Sequence, residues 1–310
     1  GAPSAQAACP GTIFNGETEN STQTLANGDS CTIEEGGAIE TVDQDAIDAG
    51  DNTTTTNDGN ISAETSGIGS VNAITAGANT TVENSGTINA TINGDGYAMG
   101  VNAVDASVSG GGSINATVNG DGGAFGINSS GHATVDNTSI NATVSGTGTA
   151  YGILTSGDTK VDNSTITVSG NGFAYGISTS DNATVDNSTI TVSGNGFAYG
   201  IASDGHATVY NTSISATVSF DGTAYGILSS GSASWVNNST SLIATVSGAG
   251  QAYGFLGNGT VINSGLIQAT VGSGDDAWAI HFENGAPNAL TLDPGSWIIG
   301  RIRLGDGPDT

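Results

Sequence analysis

The sequence predicts an all-β fold: a single right-handed parallel β-helix of about 10–12 coils, with 24–28 residues per coil. Three observations predict it. The 17 residues Val161 to Ile177, VDNSTITVSGNGFAYGI, recur verbatim as Val185 to Ile201. A small-aromatic-glycine element recurs through most of the chain, with glycines at Gly100, Gly126, Gly152, Gly176, Gly200, Gly226 and Gly254. Within each unit apolar residues alternate, with no spacing of three or four, which is the periodicity of strands and not of helices.

The repeat length selects the architecture. The glycine spacings are 26, 26, 24, 24, 26 and 28. A propeller blade needs about 40–50 residues, and the leucine pattern of a leucine-rich repeat is absent. Each unit divides into three short strands, in one copy near Thr184 to Asn187, Thr189 to Ser193 and Phe197 to Ala202. Glycine-rich and Asn-rich turns separate them. At about 4.8 Å per coil, the rod is on the order of 50–60 Å long. An enlarged turn absorbs the variation in length, with Ser230 to Trp235 as one candidate. Residues 1–60 are acidic and weakly patterned and are expected to cap the first coil. Residues 61–289 form the repeats, and residues 290–310 a C-terminal coil.

Two ladders follow from the register. The aromatic position holds Met99, then Phe125, Tyr151, Tyr175, Tyr199, Tyr225, Tyr253 and Trp278. Two residues on come Val101, Ile127, Ile153, Ile177, Ile201, Ile227, Phe255 and Ile280. Residues i and i+2 of a strand share a face. The large pair Tyr175 and Ile177 is therefore expected inside, with Ala174 and Gly176 outside. The converse would leave a ladder of exposed tyrosine. The second ladder is Asn84, Asn137, Asn163, Asn187, Asn211, Asn237 and Asn263. Asn suits a tight turn, because its side chain bonds nearby backbone and it tolerates left-handed geometry. Stacked amides can also bond one another along the axis.

Composition bounds the partners. The chain has 310 residues, 50 of them Gly, with 29 Asp+Glu against 3 Lys+Arg and a formal net charge of −26. Nucleic-acid binding relies on cations at the phosphates, and the basic residues are only Lys160, Arg301 and Arg303. Anionic membrane surfaces are disfavoured for the same reason. An acidic, Lys-poor surface suits solubility in salty water. Cys9 and Cys31 are the two cysteines. They read as one disulfide in an oxidising compartment, closing a loop worth roughly 3 kcal/mol. Ala5-Gln6-Ala7 matches a signal-peptidase pattern, which points to export by a signal peptide.

The chemistry-bearing residues are few. His132 and His206 occupy equivalent GHATV turns about three coils apart, and His281 lies near the end; all three read as turn residues. Paired carboxylates are the remaining catalytic option, at Asp275/Asp276 or in the column Glu83, Asp136, Asp162, Asp186. No catalytic residue is assigned and no cofactor is required. Like charges stacked at Asp136, Asp162 and Asp186 make that column a candidate Ca²⁺ site. Asn93-Gly-Asp-Gly96 and Asn119-Gly-Asp-Gly122 are similar to calcium-binding turns but lack a nonapeptide repeat and read as plain turns. The Gly-rich stretches match no phosphate loop, and many Asn-x-Ser/Thr triplets follow from composition alone.

Leu290 to Thr310, LTLDPGSWIIGRIRLGDGPDT, resembles the end of autotransporter passenger domains. There a Gly-Ser, an apolar pair, a Gly, an alternating strand and a Gly-Asp-Gly recur. Asn84-Ser-Gly-Thr-Ile-Asn89 and Asn263-Ser-Gly-Leu-Ile-Gln268 resemble the repeats of those passengers. The resemblance covers the chain from about residue 60. It implies a β-helical passenger exported through a Gram-negative envelope to the cell surface, joined to the membrane only through a barrel outside this chain. It implies an adhesin or a self-associating surface protein. The regular, inert coils and the unblunted alternating strand at Trp297 to Leu304 predict self-assembly into fibres through end-to-end or lateral homotypic contacts, and a surface glycan or protein is the expected receptor. The alternative expectation is a glycan-binding or glycan-cleaving β-helix using exposed acids and aromatics such as Trp235.

Overall fold

The structure, a computed structural model, describes Cys9 and residues 11–231, 234–274, 276–283 and 287–305. Every regular element among them is a strand, and every strand pairing is parallel. Each coil gives one strand to each of three sheets, A, B and C. The first coil contributes Gly11–Ile13 to A, Thr18–Glu19 to B and Gln23–Leu25 to C. The last contributes Ala289–Leu292, Trp297–Ile299 and Arg301–Arg303. Sheet A has 12 strands, so the coil count lies within the expected 10–12. In one coil Ser241–Gly257 runs unbroken from sheet B into sheet C.

Residues 11–57, expected to cap the solenoid, are themselves its first coils. Thr54 to Asn57 pairs below Thr81 to Asn84 as any later rung does, and Ser30 to Ile33 pairs below it in turn. The Cys9–Cys31 disulfide forms, with S–S 2.07 Å and Cα–Cα 5.4 Å. Gly11 stands in register with Cys31, so the bridge fixes the segment that enters the first coil to the coil above it. The expectations for Ala5 to Ala7, Asp275, Ser232, Ala233 and the Gly-Asp-Gly beginning at Gly305 fall wholly or partly outside the described residues.

The core is a narrow shaft of columns. Sheet B supplies Ile88, Ile114, Ile140, Ile166, Ile190 and Ile214, and sheet A supplies Val135, Val161, Val185 and Val209, all buried. Each fully buried aliphatic contributes roughly 1.5–3 kcal/mol. A 36% apolar chain suffices because only alternate residues of short strands face inward. Volumes compensate along the shaft. Where Ala142 gives way to Val168, Val144 gives way to Gly170 in the same register.

The aromatic ladder is inverted relative to expectation. In Phe173–Thr179 the buried residues are Ala174, Gly176, Ile177 and Thr179, while Tyr175 points outward. The isoleucine half of the expected pair is inside and the tyrosine half is not. The cause is crowding from sheet B. A Cβ built on Gly176 would collide with Ile190 of the next coil and with the Gly200 carbonyl. The same holds at Gly126 against Ile140 and at Gly200 against Ile214. Only glycine fits there, so the strand presents alanine and glycine inward and its aromatic outward.

Candidate interaction surfaces

The three sheets present three chemically distinct outer faces. On sheet C the aromatic column is a continuous stack. Ring centroids lie 5.1 Å apart for Phe125–Tyr151, 4.8 Å for Tyr151–Tyr175 and 4.5 Å for Tyr175–Tyr199. They continue at 4.8 Å for Tyr199–Tyr225 and 5.1 Å for Tyr225–Tyr253. Phe173 and Phe197 form a second stacked pair beside it at 4.9 Å. Such pairs add about 0.5–1.5 kcal/mol beyond their buried area. Trp278 is in register with Tyr253, but its ring tilts toward His281 and beneath Arg301. Burial holds the phenols of Tyr151, Tyr175, Tyr199 and Tyr225 above their usual ionisation range. For Tyr175, Tyr199 and Tyr225 the neighbouring phenols add to the effect. Along the stack each ring face is covered by the next ring, leaving the edges for solvent.

Sheet B carries a polar face without charge. From Thr87 to Thr270 its outward positions are Ser, Thr and Asn, interrupted only by Ile243, Leu266 and Gln268. Asn115 donates to Asn89 and Asn141 to Asn115, each at 2.9 Å, as a ladder of amides. In the earlier coils the same face bears Glu40 and Glu64.

Sheet A carries the carboxylates. Asp136, Asp162 and Asp186 stand in register on successive coils, as expected. Asp136 and Asp186 are partnered by the turn residues, whereas Asp162 Oδ1 is buried without a hydrogen-bond partner. Asn163 donates to Asp136 at 3.1 Å, and Asp186 accepts the Asn187 N–H at 2.9 Å. Among the described residues no group of three or more His, Cys, Asp or Glu side chains converges to hold a metal ion. Lys160 lies in the same face between Thr134 and Thr184, and Trp235 between Thr208 and Thr260.

The remaining titratable residues serve the corners. His132 Nδ1 accepts the Asp158 N–H at 3.0 Å, and Asp105 accepts the His132 N–H at 2.9 Å. The His206 N–H is bonded to Asn182 at 2.9 Å. Asp95 and Asp121 do likewise, accepting the N–H of Asp121 at 2.8 Å and of Thr147 at 2.7 Å. Those bonds from Thr147 hold the Asp121 carboxyl below its usual range. His281 packs against Tyr253 and Trp278. Burial, and then the nearby Arg303, hold its imidazole below the usual range.

The asparagine column is real but divided, and one member is displaced. Asn137, Asn163, Asn187 and Asn211 take the expected left-handed turn, with φ of 47, 48, 46 and 43°. Asn84 and Asn263 remain in strands and are buried. The member in the following coil is Asn238, not Asn237: Asn238 pairs with Asn263, and Asn237 pairs with Tyr210 and Ile262. Asn57, in the region expected to be a cap, belongs to the column too. Its Nδ2 donates to Asn84 at 2.8 Å and to the Thr87 carbonyl at 3.1 Å. Asn238 repeats that pattern toward Asn263 and Leu266. Beside the left-handed members runs a buried hydroxyl ladder, Thr138, Ser164, Ser188 and Thr212, in which the hydroxyls of Ser164, Ser188 and Thr212 each accept the N–H of the ladder residue one coil below. The signal for the inward members was available in Gly59, Gly86 and Gly265, two residues after Asn57, Asn84 and Asn263.

In the last described coil Leu292, Trp297, Ile299, Ile302 and Leu304 are exposed. No family model, no curated protein and no solved structure matches the chain.

Proposed function

We propose that the chain is an exported, extracellular structural or adhesive β-solenoid that works by contact and not by catalysis, meeting further copies of itself or a surface receptor laterally. The observation that carries this reading is the uncharged outer side of sheet B. In a chain of net charge −26, two copies approaching through most of the surface bring like charges together, which costs free energy. The outward Ser, Thr and Asn positions between Thr87 and Thr270 do not. They also offer hydrogen-bonding groups on a regular lattice, as extended solenoid surfaces do. The disulfide accords with an oxidising compartment. The likeness of Leu290 to Thr310 to passenger ends accords with an autotransporter route. Sedimentation and cell-adhesion assays test the reading with Asn141→Glu, Thr167→Glu and Thr191→Glu combined. Association or adhesion that falls while the β-sheet circular dichroism is kept supports it, and binding that does not respond removes it.

A second reading, glycan binding, is favoured by Trp235, 40% exposed on sheet A. The tyrosine ladder supports it less, since sugars stack on ring faces and those faces are already covered. A polysaccharide screen with Trp235→Ala as the control separates the two.

A further inference from the structure

We propose that the tyrosine ladder of sheet C is a site of oxidative cross-linking, at which phenols of adjacent coils couple to dityrosine under a one-electron oxidant. Five consecutive coils place Tyr151, Tyr175, Tyr199, Tyr225 and Tyr253 one above another. Their planes differ by 10, 3, 9 and 7° and their centroids by no more than 5.1 Å. Parallel in-register pairing sets each residue over its equivalent, so the ring carbons ortho to oxygen on one coil face those on the next. Nothing lies between them. Packing alone does not call for a hydroxyl, because Phe125 continues the same stack and Phe173 and Phe197 form one without it. Tyr151, Tyr175, Tyr199 and Tyr225 lie half-buried on the outside of the sheet, where an oxidant reaches the ring edges, and Tyr253 is buried at the end of the stack.

The chemistry balances as follows. Two neutral phenols each lose one electron and one proton, giving two phenoxyl radicals. The radicals combine in a carbon–carbon bond between ortho positions, and the two hydrogens on those carbons move to the phenol oxygens by tautomerisation. The net loss is two hydrogen atoms. A peroxidase with hydrogen peroxide takes up the two electrons and two protons and releases two waters. The product ties residues 24 to 28 apart in sequence and staples coils in the middle of the rod, as Cys9–Cys31 does at its start. The coupling needs only the ring geometry, whether or not sheet B meets a partner.

The experiment treats the dilute folded chain with peroxidase and hydrogen peroxide and reads dityrosine fluorescence in the monomer band, with peptide mass mapping. Two double variants keep every ring and the same number of tyrosines. Tyr175→Phe with Tyr225→Phe leaves no adjacent pair in the ladder. Tyr151→Phe with Tyr253→Phe leaves Tyr175, Tyr199 and Tyr225 contiguous. The expected result is dityrosine in the wild-type monomer, retained in the second variant and lost in the first. Equal yields in the two variants, dityrosine confined to dimers and larger species, or an undiminished monomer yield after unfolding in urea would each overturn the proposal.

Discussion

Two kinds of corner join sheet A to sheet B, and they put the same residue to opposite uses. At Asn57, Asn84, Asn238 and Asn263 the asparagine is buried and its amide captures groups of the coil above. At Asn137, Asn163, Asn187 and Asn211 it sits at positive φ and a buried Ser or Thr follows it. One residue makes the difference. After Asn84, Ser85 and Gly86 precede the strand that begins at Thr87, whereas after Asn137 only Thr138 precedes Ser139. The longer corner lets the chain stay extended through the asparagine and turn afterwards. The shorter one forces the turn onto the asparagine itself, swings its side chain outward, and leaves the inward place to the next hydroxyl. The change from the longer to the shorter corner occurs across Gly110-Gly111-Gly112, where Gly110 and Gly111 have φ of 120 and 87°. A Cβ at Gly110 or Gly112 would strike the Asn84 backbone, so this junction requires glycine, whereas the return to the longer corner at Asn238 is made with Ser239 and Thr240.

The largest effect is therefore expected at an inward asparagine. Asn84 accepts from Asn57 and donates to the Ser113 carbonyl at 3.1 Å. Asn84→Ala removes both bonds and leaves one hydrogen of the buried Asn57 amide unpaired, the other staying on the Thr87 carbonyl, at roughly 1–3 kcal/mol, with a further cost for the emptied, fully buried site. Urea denaturation should show a clearly lower midpoint. Hydrogen exchange should localise the loss to the amides around Thr87 and Ser113, since solenoids open coil by coil. If Asn84→Ala were no more costly than Asn163→Ala, the distinction between the corners would carry no energetic weight.

The hydroxyl ladder should respond next. Ser188 is buried, accepts the Ser164 N–H at 3.1 Å and donates to the Asp186 carbonyl at 2.7 Å. Ser188→Ala is expected to cost about 1–3 kcal/mol, because it strands a buried N–H. Ser188→Thr should be close to neutral, because Thr138 and Thr212 already fill equivalent places. A thermal melt of the two variants decides it; equal losses would mean that volume, not the hydroxyl, sets the corner.

How far the sequence disclosed this differs by feature. The solenoid was legible because the repeat is written into 24–28-residue spacings that no other β architecture accommodates. The orientation of the tyrosines is not legible from size, because the larger side chain of the pair is the one that faces out. Gly176, invariably small beside Tyr175 in each copy, was the better guide, since a glycine repeated at one place marks where backbone and a neighbouring Ile approach too closely for a Cβ. The slip from Asn238 to Asn237 had a legible remedy as well. Counting two residues from the inward valine, as in Val161-Asp162-Asn163, leads from Val236 to Asn238. The division of the column was harder to see, because it depends on one residue of corner length, and the coils differ in length at other corners too. The neutral face of sheet B appeared only once the strands were in register, since its residues are ordinary singly and unusual only as a group.

The smallest effect is expected at the left-handed asparagines, and it isolates the backbone from the side chain. Asn187 has φ 46° and is exposed. Glycine takes that conformation without strain but gives the unfolded chain more freedom. Asn187→Gly should therefore shift stability by no more than a few tenths to about 1 kcal/mol. Asn187→Val places a β-branched residue where L side chains are strained, at about 1–2 kcal/mol. At Asn263 the order should reverse in kind. There the backbone is extended, and Gly and Val both forfeit the amide that donates to Gly265 at 3.0 Å and the acceptor that Asn238 uses at 2.8 Å. Four melts, two substitutions at each site, thus form a closed comparison. Glycine close to wild type at Asn187 and clearly destabilising at Asn263 is the expected pattern. Equal sensitivity to glycine at both sites would show that the inward amide does no more than the outward turn.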